Sequence, residues 1–388
     1  MALPALTRGR RNAMVFRQNN RGTARMATGS GMVTIKASRL RICAVTCVKN
    51  EGPFVLEWVA YNRLLGVTDF LFYSNDCDDG TDALLDALAP AGVVHLPNPA
   101  QGRNYQMEAL KDAARQEIVS RADWVWVADV DEFLNVQTGD HTLPALIEAC
   151  GDPQAISVSF QFFANGGVTT FEDRPVIGQF TRSHNPDLWC DQSAIEVKTL
   201  VRRDFPLQYY GAHRPFFRKS LPAAKHPRWT DGSGRPVPGA FLAADRPRRM
   251  RKFPAAGARN FATLNHYALR SLDSYLVKTE RGDVNREGRI FDESYWQERN
   301  DAAWEDRSIL RMLPSLEEGI AELRALPGVA RLHDLSVQAH RAKIGMLRAQ
   351  PQVAERAAHL AALPALPPGE LELMAQLGFA STPAEGAR

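Results

Sequence analysis

"RICAVTCVKNEGPFVLEWVAYNRLLGVTDFLFYSN", residues 41 to 75, decides the fold. Its first eight residues are a short β-branched run that reads as a strand. Then Phe54, Leu56, Trp58, Val59, Leu64 and Leu65 recur at helical spacing, and Gly66 stops the helix. "DFLFYSN" is a second strand. Working outward, "DCDDG" is a turn and "TDALLDALAPAG" a second helix capped by Asp79 or Thr81. "VVHL" is a third strand, "NYQMEALKDAARQEIVSRA" a third helix, and "WVWVADV" a fourth strand. Strands and helices alternating over short connections predict a parallel sheet of crossover units. Such sheets bind ligands beyond the carboxyl ends of their strands. The polar stretches "KNE", "SNDCDDGTD" and "DVDE" all fall there.

The chain has 388 residues, 45% hydrophobic and 23% charged, and holds one large domain or two. No run approaches the roughly 18 uninterrupted apolar residues of a membrane span. The first 41 residues carry eight Arg and one Lys and no acid. Taking those nine charges from the net +3 leaves the remainder at −6, which argues against nucleic acid as the main partner. Residues 1–39 read as a basic tail or a leader from an early start. Five scattered cysteines (Cys43, Cys47, Cys77, Cys150, Cys190) show no zinc spacing and fit reduced thiols in a cytoplasmic protein.

Past Asp152, "AISVSFQFFANGG" reads as a strand pair or a strand and bend, and "IEVKTLVRR" as a strand. Residues 206–259 read as extended loops, "LDSYLVKTERG" as a helix, and the stretch from Asp301 as an appendage of helices broken at Pro314, Pro327 and Pro351.

The fourth strand runs into Asp129-Val130-Asp131-Glu132-Phe133. On an extended chain Asp129 and Asp131 project to one side. Their repulsion and desolvation cost on the order of several kcal/mol, which a divalent cation removes. Hard oxygen ligands suit Mg²⁺ or Mn²⁺, either of which also holds a diphosphate. The plainer alternative is an acidic turn. Lys278 and Arg281 share a helical face and serve either a leaving diphosphate or a solvated helix end.

"RICAVTCVKNEGPFVLEWVAYNRLLGV", "FYSNDCDDGTDALLDAL", "ADWVWVADVDEFL" and "NHYALRSLDSYLVKTERG", in that order, resemble glycosyltransferase family 2 in its bacterial branch. Departures are Cys77 where Ser is usual and Asn62 where His is frequent. The resemblance implies a GT-A fold of the α/β class. Its Rossmann-like, mostly parallel sheet would span residues 40–300, split at 150 into nucleotide-sugar and acceptor halves, with 301–388 a helical extension.

By the same resemblance, Thr46, Val48, Asn50 and Glu51 surround the nucleobase and ribose. Asn75, with Asp76 and Asp79, receives the base edge, and Arg103 and Asn104 lie near the ribose and sugar. Asp129 and Asp131 hold Mn²⁺ or Mg²⁺, and His266 is a third ligand or a phosphate contact. The implied reaction is inverting transfer from a nucleotide-diphospho-sugar to a sugar or lipid-linked hydroxyl, in bacterial surface polysaccharide or glycoconjugate synthesis. Glu132, Glu172, Asp191 and Glu196 are candidate bases. His213, Arg214 and "RPRRMRK" offer contacts to an anionic acceptor or the inner membrane face. A nucleotidyltransferase or phosphatase using the same carboxylates, and a catalytically silent nucleotide-sugar-binding protein, are the alternatives.

Overall fold

The computed structural model describes residues 40–186, 195–218, 220–242, 252–253, 256–282, 291–366 and 376. Strand β1 (Ile42–Val48) is buried along its whole length. It lies between β2 (Asp69–Ser74) and β4 (Trp124–Val127), parallel to both, and β3 (Val93–Pro97) continues the sheet beyond β2. Helices α1 (Gly52–Leu64), α2 (Thr81–Ala87) and α3 (Tyr105–Ala113) make the crossovers. The helix expected over residues 104–122 breaks after Ala113, because Gln116 turns extended (φ −72°, ψ 138°) before a short turn of helix, Glu117–Ser120. Asp112 holds the break from both sides, accepting from Tyr73 at 2.8 Å and Gln116 at 2.7 Å.

Beyond β4 the sheet turns mixed. Strands β5 (Glu132–Val136), β6 (Ala155–Phe162), β7 (Ile195–Arg202) and β8 (Ala262–His266) complete the order β3-β2-β1-β4-β7-β6-β8-β5. β7 runs antiparallel to β4 and β6, and β5 antiparallel to β8. β8 is parallel to β6. "AISVSFQFFANGG" is thus one strand and a bend. This is a mixed α/β, Rossmann-like architecture, a central sheet flanked by helices.

Residues 206–259 are less loop-like than their composition suggests. Leu207–Tyr210 and Pro215–Phe217 pair as a ribbon. Arg214, expected to be open to an anionic acceptor, is buried instead, its guanidinium 4.3 to 5.0 Å from the rings of Phe216, Trp229 and Phe241. His213 sits with Nδ1 3.1 Å from the Val197 carbonyl. Most of "RPRRMRK" lies outside the described residues.

Helix α4 (Leu143–Ala149) joins β5 to β6, and after β8 come α5 (Leu272–Arg281), α6 (Glu293–Arg299), α7 (Leu313–Arg324), α8 (Val329–Arg348) and α9 (Pro351–Ala362). Pro314 and Pro351 sit in the first turns of α7 and α9, where proline starts a helix rather than breaking one. Because α7 and α8 pack on α1, that helix is buried on nearly every side from Gly52 to Asn62. Among the described residues no helix is long and apolar enough to cross a membrane. Cys43, Cys47, Cys77 and Cys150 are free thiols. Burial pushes Cys43 up to about 12, so it is unreactive at neutral pH.

Candidate functional site

The acidic motif does not stay extended. Glu132 N–H donates to the Asp129 carbonyl at 3.0 Å, closing a tight turn between β4 and β5. The turn sends the two aspartates to different partners. Asp129 Oδ2 takes a 3.0 Å bond from Lys198 Nζ on β7. Asp131 turns Oδ2 to Lys278 Nζ on α5 at 2.8 Å and Oδ1 to His266 Nε2 at 3.5 Å. The expectation of one carboxylate pair is corrected by that turn.

Glu132 is the carboxylate that joins Asp131. Antiparallel pairing sets Glu132 opposite His266, at the β5 start and the β8 end. Donor atoms of Asp131, Glu132 and His266 all lie within 4.8 Å of one another. Two bonds fix this geometry from behind, Trp58 Nε1 to the Glu132 carbonyl at 3.2 Å and Tyr267 N–H to the Asp131 carbonyl at 2.8 Å. Glu132 also accepts from Asp129 N–H at 3.0 Å and faces Lys198 at 3.2 Å.

Charges here are set by burial and by the lysines. Burial, with Asp129 and Asp131 close by, pushes the Glu132 carboxyl well above its ordinary range against the pull of Lys198. Burial alone would also protonate Asp131, yet Lys278 and His266 hold it well below that range. Burial lowers His266 below its ordinary value against the pull of Asp131. Lys278 loses solvation but is raised by Asp131, so it stays cationic.

A second knot sits beside the first. Buried Glu51 pairs with Arg270 Nη1 at 2.8 Å and with Arg281. Burial works to protonate it, and the two guanidiniums bring it below the usual carboxylate range. Arg281 also donates to the carbonyls of Lys49 and Asn50, tying α5 to the loop after β1. Arg281 is therefore a loop clamp, while Lys278 is the cation on the acidic motif.

The remaining expected residues scatter. Thr46 and Val48 point into the core from within β1, so their side chains are not open to a ligand. Asn50 (φ 51°) makes a reciprocal pair with Asp78, at 2.6 and 2.9 Å. Buried Asp79 braces two loops, with Oδ1 on Thr81 at 2.5 and 2.9 Å and Oδ2 on Gly52 N–H at 3.1 Å. Both of its oxygens are spent, so it is not an open ligand for a base. Asn75 is buried at the end of β2, Asp76 is exposed, and Arg103 and Asn104 are exposed before α3. Exposed Glu172 pairs with Arg174 at 2.6 Å. Glu196 shares the Lys198 face of β7 and is half-buried. Asp191 lies outside the described residues.

Lys198 and Arg270 were not expected. Lys198 had a signal, a cation inside "IEVKTLV" at the alternation of a buried strand; Arg270 had none. Asp131, Glu132 and His266 fit a divalent cation, which would favour ionised Glu132: two hard oxygen donors with an imidazole whose Nδ1 has no partner among the described residues. Glu132 replaces Asp129 in the expected trio, because the turn leaves Asp129 outside that close cluster.

Residues 39–203 match the model of Glycosyltransferase family 92. A family 92 protein of Ricinus communis is 32% identical over 103 residues, 25% of this chain and 18% of that protein. One of Oryza sativa subsp. japonica is 30% identical over 107 residues, 26% of this chain and 17% of that protein. The chain thus spans under a fifth of those proteins in these alignments. Among solved structures, HddC from Yersinia pseudotuberculosis is 10% identical with a TM-score of 0.27, covering 48% of this chain and 88% of that one, a likeness too slight to speak to function. The matches support a glycosyltransferase, but the matching family is 92 and not the expected family 2, and these relatives are plant proteins. The matched stretch contains Glu51, Asp131, Glu132 and Lys198 and stops short of His266, Arg270, Lys278 and Arg281.

Proposed function

We propose that the chain is a glycosyltransferase that moves a sugar from a nucleotide-diphospho-sugar to a hydroxyl acceptor with the help of Mn²⁺ or Mg²⁺. The observation that carries this reading is the meeting of Asp131, Glu132 and His266 beside Lys278, at the carboxyl edge of the parallel strands. Asp131, Glu132 and His266 would hold the cation, which when bound supplies positive charge to a diphosphate. Lys278 adds a fixed ammonium where charge develops on the leaving group. Arg270 and Arg281 keep Glu51 ionised and its loop in place. Lys198 bridges Asp129 and Glu132 behind the cluster. Inversion needs a base on the acceptor side, and Glu196, half-buried on the same sheet face as Lys198, is the candidate for that role.

Ligand-linked stability tests the reading. UDP or GDP with MnCl₂ should raise the thermal midpoint, since a ligand at 100 times its Kd stabilises by about 2.7 kcal/mol. Asp131→Ala should lose that shift. No shift with any nucleoside diphosphate in Mn²⁺, with Asp131→Ala indistinguishable from wild type, would sink the proposal. Metal-dependent hydrolysis of a panel of donor sugars then identifies the sugar.

A further inference from the structure

We infer that the C-terminal helix α8 is a working part of the candidate site, and that Ser336 and His340 are positioning residues for Glu51 and Lys278. The inference rests on the proposed function for what the site binds, and on geometry alone for what α8 holds.

Ser336 is fully buried against the starts of two helices. A methyl built on Gly52 would lie 2.5 Å from Ser336 Oγ and 2.6 Å from its Cβ, and one built on Gly80 would lie 3.3 Å from Oγ. Gly52 follows Glu51 directly, and Gly80 (φ 86°) precedes α2. Asp79 bonds to Gly52 N–H and Thr81 N–H, so the loops after β1 and β2 meet at the point where Ser336 presses. Only a glycine facing a small side chain allows this approach.

One turn along, His340 lies edge-on to Phe54 (5.7 Å) and Phe171 (4.6 Å). Its Nε2 is 3.2 Å from Ser274 Oγ in the first turn of α5, the helix that carries Lys278 and Arg281. Phe54 is also the ring on which Arg270 stacks, at 3.5 Å, while Arg270 holds Glu51. Towards the other end of α5, Lys343 pairs with Glu280 at 3.2 Å, while Arg348 bonds Asp273, back in the first turn, at 2.8 Å. A single helix therefore touches the Glu51 loop, the Asp79 loop and the Lys278 helix. It lies more than a hundred residues beyond the stretch that matches the glycosyltransferase family.

The test is a rescue. Gly52→Ala should drive Ser336 away, raise amide hydrogen exchange in residues 49–56, and weaken binding of Mn²⁺ with UDP or GDP about tenfold or more, as small misplacements at a site do. Adding Ser336→Gly removes the two atoms that lie nearer than 3 Å, leaving only Asp79 Oδ2 at 3.2 Å, and should return both readouts towards wild type. Exchange in Leu143–Ala149, remote from α8, should stay unchanged throughout. Should Gly52→Ala not fold, His340→Phe keeps the ring contacts and drops the Ser274 bond. It should raise exchange in Leu272–Arg281 and weaken the same binding. Wild-type exchange and affinity in these variants, or a Gly52→Ala defect that Ser336→Gly does not relieve, would overturn the inference. If wild type binds no nucleotide, the proposed function fails, and the exchange readout alone still decides whether α8 positions the loops.

Discussion

Asp129 and Asp131 are two positions apart and answer to different lysines, because the chain turns between them. Residue identity predicted an acidic site; the turn decided which acids share it. The "EW" of the first helix was legible only as part of a motif, and its chemistry is structural. Trp58 holds the Glu132 carbonyl, and Glu57 takes N–H bonds from Val176 at 2.7 Å and Ile177 at 3.1 Å. Burial pushes Glu57 up from 4.5 to about 7. A raised carboxyl pKa favours the folded state below pH 4.5, and that contribution is lost as pH rises through about 7. Urea unfolding should therefore show wild type losing roughly 3 kcal/mol relative to Glu57→Gln across that window. An equal pH dependence in both proteins would refute the assignment.

At the level of elements, β1 to β4 and α1 to α3 were readable because a buried strand and a helix have different periods. β5 was not, since "EFLNV" follows β4 after only a turn and its partner, β8, lies more than a hundred residues later. β7 contributes Lys198, which bridges two acids of the motif from a fully buried position. Lys198→Met should cost roughly 3–5 kcal/mol, because it strands charge in the core. Adding Asp129→Asn and Glu132→Gln should recover much of that loss in chemical denaturation. Equal stability of Lys198→Met and wild type would show that the bridge carries no weight.

Across the whole molecule, the described residues from Arg41 onward form one compact unit. The C-terminal helices close its second core. Leu272, Tyr275, Leu276 and Val277 of α5 pack with Trp296 and with Leu347, Ala357 and Leu360 of the last two helices. Truncation after Leu326 should uncover that cluster and abolish cooperative unfolding, seen as loss of near-ultraviolet circular dichroism with helical signal retained. A truncated chain that still melts cooperatively would show that the appendage is dispensable to the fold.

By itself, the sequence determined the alternating α/β class, the parallel order of motifs, and the placing of acidic and amide-rich loops after β1, β2 and β4. Local periodicity and turn chemistry carry that information. Tertiary structure alone decided that Glu132 joins Asp131 and His266, that Lys198 bridges Asp129 and Glu132, that Arg281 serves Glu51, and that α8 presses on Gly52. Each of these depends on a partner brought close by strand register or helix packing, from tens to hundreds of residues away, and no local pattern records such a meeting.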